Sequence, residues 1–145
     1  MQVHQILKTK QSGDVVTISP EAPVAEAAGL LERHRIGSVV VVDGNTRPVG
    51  ILSERDIVYA LARRGDPCLE MTVGELMTRN PETCHLEDRA DEILHRMTEG
   101  RFRHIPVVDE EGRMIGLITQ GDVVKARLSE LSMEKEALEG MIMGL

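Results

Sequence analysis

Aromatic side chains are almost absent from this chain of 145 residues. It has no tryptophan, one tyrosine (Tyr59) and one phenylalanine (Phe102). Proteins that hold single-stranded nucleic acids stack the bases on several aromatic rings, so the sequence argues against this kind of partner. The core must therefore be aliphatic, with eight methionines available to fill gaps.

Basic clusters, long apolar runs and paired cysteines are also missing. Lysine and arginine number 17 against 24 acidic residues, a net charge of −7, which argues against a nucleic-acid partner. No apolar run approaches the roughly 18 residues that cross a bilayer, and the first residues lack a signal-peptide pattern. Cys68 and Cys84 have no metal-binding spacing. These absences predict a cytoplasmic protein with reduced thiols, no metal site and no membrane partner.

Catalytic motifs are missing as well. The sequence has no Gly-x-Ser-x-Gly elbow, no phosphate-binding P-loop, no His-Glu-x-x-His and no Cys-x-x-Cys. We therefore predict that the chain is not an enzyme and has no catalytic residues.

What the chain does contain is an internal repeat. Residues 50–58 and 116–124 both read as glycine, two aliphatics, a hydroxyl residue, two variable residues, an aspartate and further aliphatics. The offset of 66 also places Asp43 over Asp109. Two copies are too few for a solenoid. The repeat predicts two similar half-domains that pack against each other.

The repeated stretch predicts a strand that turns into a helix. We call residues 53–56 the first corner and residues 119–122 the second corner. Ser53 and Thr119 suit the N-cap, and Asp56 and Asp122 fall where the helix dipole favours a carboxylate. These pairs also fit a variant capping box. The aspartates can therefore serve as caps, as ligand contacts, or as both.

The pattern of apolar residues predicts an α/β (α+β) fold. The predicted segments are helical turns at 3–7 and 73–77; a turn at 11–14; strands at 15–18, 38–42, 48–52, 105–108 and 113–118; an extended piece at 82–84; and helices from Pro23 towards Gly37, over 53–63, over 89–99 and from Thr119 past residue 127. The predicted organisation is a first motif over 1–65, a linker over 66–72, a second motif over 73–127 and a C-terminal helical tail over 128–145.

The tail carries a heptad pattern, which we call the seam. Its members alternate in steps of three and four residues: Leu128, Leu131, Lys135, Leu138, Ile142 and Leu145. Two interpretations remain open, an amphipathic helix packed on its own domain and a pairing helix in a dimer.

The order of elements, given twice with the same corner, resembles a tandem pair of CBS domains, named after cystathionine β-synthase. The resemblance runs from about residue 3 to about residue 127, and residues 51–57 and 101–109 carry it best. It implies two βαββα half-domains related by a pseudo-twofold axis. It also implies two clefts for adenosine-containing ligands and pairing into a homodimer.

The resemblance implies roles for particular residues. Asp56 and Asp122 would accept hydrogen bonds from ribose hydroxyls, with Ser53 and Thr119 near the ribose or phosphate. The remaining candidates are Thr17, Ile18, Thr83 and Cys84 at the adenine edge; Arg103 and His104 at the phosphates, beside Ile105 and Pro106; Gly37 and Ser38 at the matching place in the first copy; and Arg55 as an added charge.

The predicted function is a stand-alone regulatory or sensor module that binds AMP in these clefts, with ATP, NAD or S-adenosylmethionine as other ligands. A vicinal diol offers two donors that one carboxylate can accept, which fits the repeated aspartate. An unidentified protein partner would read the bound state. The alternative is a structural or adaptor dimer with empty clefts, assembled through its CBS faces and C-terminal helix.

Overall fold

A computed structural model describes residues 1–10 and 15–144, so the predicted turn at 11–14 and Leu145 lie outside it. The helices are α1 (Val3–Thr9), α2 (Val24–His34), α3 (Glu54–Arg64), α4 (Val73–Leu76), α5 (Ala90–Gly100) and α6 (Gln120–Ile142). The strands are β1 (Thr17–Ile18), β2 (Ser38–Val42), β3 (Pro48–Ser53), β4 (Thr78–Arg79), β5 (His104–Val108) and β6 (Met114–Thr119).

Each half contains a hairpin backed by helices. In the first half the strand order is β1-β2-β3-β4, with β1 parallel to β2 and the other neighbours antiparallel. In the second half β5 pairs with β6, and Cys84 forms a parallel bridge to Val107. Helices α2 and α5 bury apolar residues at a spacing of three or four, such as Ala90, Ile93 and Met97. The apolar residues that recur at helical spacing in the sequence are thus the ones that these helices bury.

The two front segments are exchanged between the halves. Helix α1 opens the first motif in sequence, yet Val3 and Ile6 belong to the core of the second half. The backbone N–H of Val3 donates to the carbonyl of Asp88 over 2.9 Å. Helix α4 does the reverse, because Val73 joins the first core and its N–H donates to the carbonyl of Ala22 over 2.8 Å. Each core is therefore built from both parts of the sequence.

The glycine that opens each repeated stretch lies under an exchanged segment. A Cβ atom on Gly50 would clash with Met77 and lie 3.0 Å from the carbonyl oxygen of Thr78. A Cβ on Gly116 would lie 3.0 Å from both methyl groups of Leu7. The sequence requires glycine here because the crossing segment passes so close to the strand.

Several boundaries differ from the sequence predictions. The strand predicted over 15–18 is limited to Thr17–Ile18, and the extended piece over 82–84 is limited to one bridge at Cys84. Strand β4 was not predicted, since its two exposed residues pair only because the exchanged segment passes the edge of β3. Pro23 is the N-cap of α2, not its first residue, and α2 ends at left-handed Arg35. A short 3-10 helix, Asp66–Glu70, occupies the predicted linker.

Helix α6 continues well beyond the second half. Its apolar side chains past Arg127 are exposed, with 63% exposure at Leu128, 59% at Leu138 and 84% at Ile142. The interpretation that the seam packs on its own domain is therefore wrong for the residues that the structure describes. No described helix is both long and apolar enough to cross a bilayer.

Candidate functional site

The two corners have nearly the same geometry. Ser53 and Thr119 are N-caps with φ −102° in both cases. In the first corner the N–H of Ser53 donates to Oδ2 of Asp56 over 2.9 Å, and the N–H of Asp56 donates to Oγ of Ser53 over 3.1 Å. The second corner repeats this exchange between Thr119 and Asp122 over 2.9 and 3.2 Å. The predicted capping boxes are thus confirmed.

Each capping aspartate uses only one of its oxygens. Oδ2 of Asp56 and Oδ2 of Asp122 accept the cap hydrogen bonds. Across residues 1–10 and 15–144, no side chain or backbone group donates to either Oδ1. Each corner therefore presents a carboxylate oxygen that is fixed in place and able to accept hydrogen bonds from a ligand.

The start of the neighbouring strand lies beside each corner. Ser38 is opposite Ser53 in the β2–β3 register, and His104 is opposite Thr119 in the β5–β6 register. The carbonyl of Gly37 accepts from Glu54, and that of Arg103 accepts from Gln120, both over 2.8 Å. The structure thus brings Gly37 and Ser38 to the first corner and Arg103 and His104 to the second. Arg55 is exposed on the first turn of α3.

The candidates for the adenine edge are mostly buried or already hydrogen-bonded. The side chains of Ile18, Cys84, Ile105 and Pro106 are buried, whereas Thr17 is exposed and Thr83 is half-buried. The N–H of Cys84 donates to Pro106 over 3.0 Å, and its carbonyl accepts from Val108 over 2.9 Å. The carbonyl of Thr83 accepts from Arg96 over 2.7 Å. A ligand at this edge would have to share carbonyls that already have partners.

The cysteines are free and buried. Burial, with the nearby charge of Asp88, raises the pKa of the Cys84 thiol to about 12, although Arg96 acts in the opposite direction. Cys84 is therefore an inert thiol, as expected of a small buried hydrophobe. Within the described ranges, no three His, Cys, Asp or Glu residues lie close enough to hold a metal ion.

Lys10 forms an ion pair with Asp122 that was not predicted from the sequence. Its Nζ lies 2.8 Å from Oδ2 of Asp122 and donates to the carbonyl of Leu117 over 2.8 Å. Burial opposes ionisation of Asp122 and is the largest single influence. The hydrogen bonds from Lys10 and Thr119 together outweigh it and lower the pKa of this carboxyl. No sequence signal could link Lys10 to the second corner, because the contact depends on α1 crossing to the other core.

Each aspartate borders a hollow. The hollow beside Asp122 measures about 500 Å³ and the one beside Asp56 about 190 Å³. Ligand pockets usually measure roughly 300–1,000 Å³, so the hollow beside Asp122 has the size for a nucleotide. The larger hollow is lined by Met1, Ile6, Thr9, Lys10, Asp122, Lys125, Ala126 and Ser129, and the smaller by Asp56, Tyr59, Ala60, Arg63, Arg64 and Leu76.

Each hollow combines one acid with two cations. The two aspartates were predicted from the sequence, and the four cations were not. Lys10 and Lys125 accompany Asp122, and Arg63 and Arg64 accompany Asp56. Lys125 lies three residues after its aspartate and Arg63 lies seven after its own. Helical spacing from each aspartate was the signal that could have found these two.

His104 links the second corner to pH. Burial and then the positive charge of Lys10 lower the pKa of its imidazole; Arg103 acts in the same direction and Asp122 opposes it. The folded state therefore holds His104 neutral at a pH where an unfolded chain would already bind a proton. Stability is fully present above the unfolded pKa of 6.5 and is lost as pH falls towards the lower, folded pKa.

We expect His104→Gln to reduce the loss of stability on acidification. Urea unfolding at about pH 7.5 and about pH 5.5 measures the difference in unfolding free energy for wild type and variant. Asp122 does not change the free energy of unfolding between these two pH values. Because its pKa is lowered, the stability that its carboxylate contributes is lost only below about pH 4. An identical pH dependence in both proteins would show that His104 titrates as in the unfolded chain.

Comparison with known proteins agrees with this geometry. The CBS domain family model matches residues 4–63 and 73–129. A CBS-domain containing protein from Agrobacterium tumefaciens is 44% identical and superposes with a TM-score of 0.77, covering 87% of this chain and 92% of that one. A CBS domain protein from Pyrobaculum aerophilum, complexed with AMP, is 26% identical with a TM-score of 0.77, covering 92% and 99%.

A further similar structure is a CBS domain pair in complex with 5′-methylthioadenosine and S-adenosyl-L-methionine. It is 29% identical with a TM-score of 0.76, covering 90% of this chain and 98% of that one. Some relatives are longer: the chain spans 25% of the length of an inosine-5′-monophosphate dehydrogenase from Methanocaldococcus jannaschii, at 36% identity over 132 residues. The predicted fold, a tandem CBS pair with a long C-terminal helix, is confirmed. With family matches over both motifs and solved CBS pairs superposing on most of its length, the chain belongs to the CBS-domain family.

Proposed function

We propose that this protein is a regulatory module that binds an adenosine-containing nucleotide at its corners, with AMP as the first candidate. ATP, NAD and S-adenosylmethionine are the other candidates. The observation that carries the proposal is the repeated carboxylate, fixed through Oδ2 and free to accept at Oδ1 in the described residues. The ligands of the Pyrobaculum protein and of the second complex support the chemical class.

The chemistry of the corner suits a ribose. One carboxylate can accept both hydroxyls of the vicinal diol, and hydrogen bonds to a charged acceptor are the stronger kind. The hydroxyl oxygens of Ser53 and Thr119 accept the cap hydrogen bonds, which leaves their O–H groups as donors to a ribose or phosphate.

The second corner is the better site for a phosphorylated ligand. Its hollow is the larger, and Lys10, Lys125 and the first turn of α6 supply positive charge to it. Arg103 and His104 lie beside the second corner, at the start of β5. At the first corner Arg63 and Arg64 line a smaller hollow, and Arg55 is exposed on the first turn of α3. We therefore propose unequal sites, with AMP filling the second corner first.

Binding would act by stabilising one arrangement of the halves over another, since a ligand shifts an equilibrium only by its differential affinity. Hydrolysis is not proposed. Asp56 and Asp122 occupy equivalent places in separate corners, whereas acid–base catalysis needs differently tuned groups within one site. The cytoplasmic location and the existence of a protein partner remain parts of this proposal.

Calorimetric titration with AMP, ATP, NAD and S-adenosylmethionine tests the proposal. We expect at least one to bind, and we expect 2′-deoxy-AMP to bind roughly tenfold more weakly than AMP, because it lacks one of the two donors. Native mass spectrometry of the freshly purified protein shows any ligand already bound. Equal affinity for AMP and 2′-deoxy-AMP would remove the ribose role, and a bare protein that binds none of the four would overturn the proposal.

The second candidate function is an adaptor dimer with empty clefts. The exposed apolar tail of α6 favours it, since side chains such as Leu138 and Ile142 are exposed in the described chain. Removal of residues 131–145, which leaves the lining of both hollows intact, discriminates between the two. Loss of oligomers in a protein that binds no nucleotide supports the adaptor, whereas unchanged nucleotide affinity in the shortened protein supports the sensor.

A further inference from the structure

The described residues of α6 beyond Ser129 form a surface that lines neither hollow. Past Arg127 the helix exposes 50% of Leu131, 59% of Leu138 and 84% of Ile142. Such apolar residues on one helical stripe indicate a surface that another molecule covers.

The helix is already formed where the seam begins. Val123 and Ala126 of the same helix are buried in the second core, and Thr119 caps its first turn. The tail therefore continues an anchored helix and avoids the nucleation that makes short isolated helices marginal. A partner that packs on the seam does not have to order it first.

The seam has the pattern of a two-helix coiled coil. Leu128, Lys135 and Ile142 occupy a positions, and Val124, Leu131 and Leu138 occupy d positions. Val124 is 40% exposed, so the stripe begins inside the folded half and continues along the tail. The flanking e positions include Lys125 and Glu139, and the flanking g positions include Arg127 and Glu134.

A parallel pair of these helices brings like charges together. In that arrangement each a position faces the same position of the second copy, so Lys135 meets Lys135 in the centre of the seam. Each g position faces the e position five residues on, so Glu134 meets Glu139. The charges therefore disfavour a parallel pair.

An antiparallel pair of the same helices matches much better. There a positions face d positions, and Leu128 meets Leu138 of the second copy while Lys135 meets Leu131. In this register Lys125 faces Glu139 across the e positions, and the twofold axis creates this attractive pair twice. Glu134 meets its own copy once at the axis. Lys135 can run its aliphatic stem along Leu131, keeping its ammonium near Glu139 of its own helix, 3.9 Å away.

We propose that the tail of α6 pairs with the tail of a second copy of this chain in an antiparallel two-helix coiled coil. The axis passes near Met133, with Leu128 against Leu138. Two CBS pairs are thereby joined tail to tail.

Glu139→Lys separates the two orientations because its effect has opposite signs. In the antiparallel pair it replaces two attractions to Lys125 by repulsions and weakens self-association roughly tenfold. In a parallel pair it creates attraction to Glu134 and strengthens association. The matched control is Glu136→Lys, the same charge change on an exposed b position, which should leave association unchanged.

Sedimentation velocity of the full chain from about 1 to 200 µM measures the association. Leu131→Asp should abolish the association step that Glu139→Lys weakens, with circular dichroism confirming that the domains stay folded. Identical sedimentation of wild type and Leu131→Asp overturns the proposal, as does stronger association of Glu139→Lys.

Disulfide trapping gives a second readout of orientation. Leu128→Cys protein mixed with Leu138→Cys protein should form the mixed disulfide, because these positions face each other in the proposed register. The native cysteines are fully buried and do not compete. A disulfide between two copies of Leu128→Cys, in place of the mixed one, overturns the antiparallel arrangement.

Discussion

Replacement of Asp122 by alanine is expected to weaken AMP binding at the second corner by about 100-fold. The change removes the Oδ1 acceptor that faces the ligand, and each hydrogen bond to a charged acceptor contributes roughly 1.5–3 kcal/mol. Calorimetry measures the loss as one high-affinity site missing. Asp56→Ala should remove only the weaker site, and the double variant should bind no AMP.

Asp122 also caps helix α6, so a loss of AMP binding has to be separated from a loss of this cap. Oδ2 of Asp122 accepts from Thr119, and losing such a cap costs about 1 kcal/mol of stability. Glu75→Ala is the matched control, since Glu75 forms the same reciprocal cap with Thr72 on α4 and lines neither hollow. It should reduce thermal stability without changing AMP affinity. Wild-type affinity in the Asp56→Ala/Asp122→Ala double variant would show that the carboxylates are caps alone.

The local parts of the site could be predicted from the sequence because they depend on neighbours within a few residues. Ser53 and Asp56 lie three residues apart, and that spacing alone determines the capping box that the structure contains. Ser38 and His104 reach the corners because each hairpin is short and antiparallel, so their register follows from the turn.

Lys10 could not be predicted in the same way. Its contact with Asp122 joins residues far apart in sequence, through a helix that crosses to the other core. The repeat suggested that each front segment belongs to the motif that follows it. Only tertiary packing decides which core a short segment such as α1 or α4 joins, because its propensity is the same in both. Strand β4 was missed for the same reason.

The exchange of α1 makes a second strong prediction: Ile6→Ala should destabilise the second half more than the first. Ile6 is 2% exposed and packs in the core that contains Ile93 and Ile118. Truncation of a buried isoleucine leaves a cavity and costs roughly 2–5 kcal/mol. The largest loss of amide hydrogen-exchange protection should fall on α5, β5 and β6, although the residue belongs to the first motif in sequence.

Val73→Ala is the reciprocal variant, since Val73 is fully buried in the first core while its segment opens the second motif in sequence. Its protection losses should fall on α2, β2 and β3. Lys8→Ala, on the exposed side of α1, is the control and should change protection little. Larger losses in α2, β2 and β3 after Ile6→Ala would place α1 on the first core in solution. That result would also separate Lys10 from Asp122, because the crossing of α1 is what brings that lysine to the second corner.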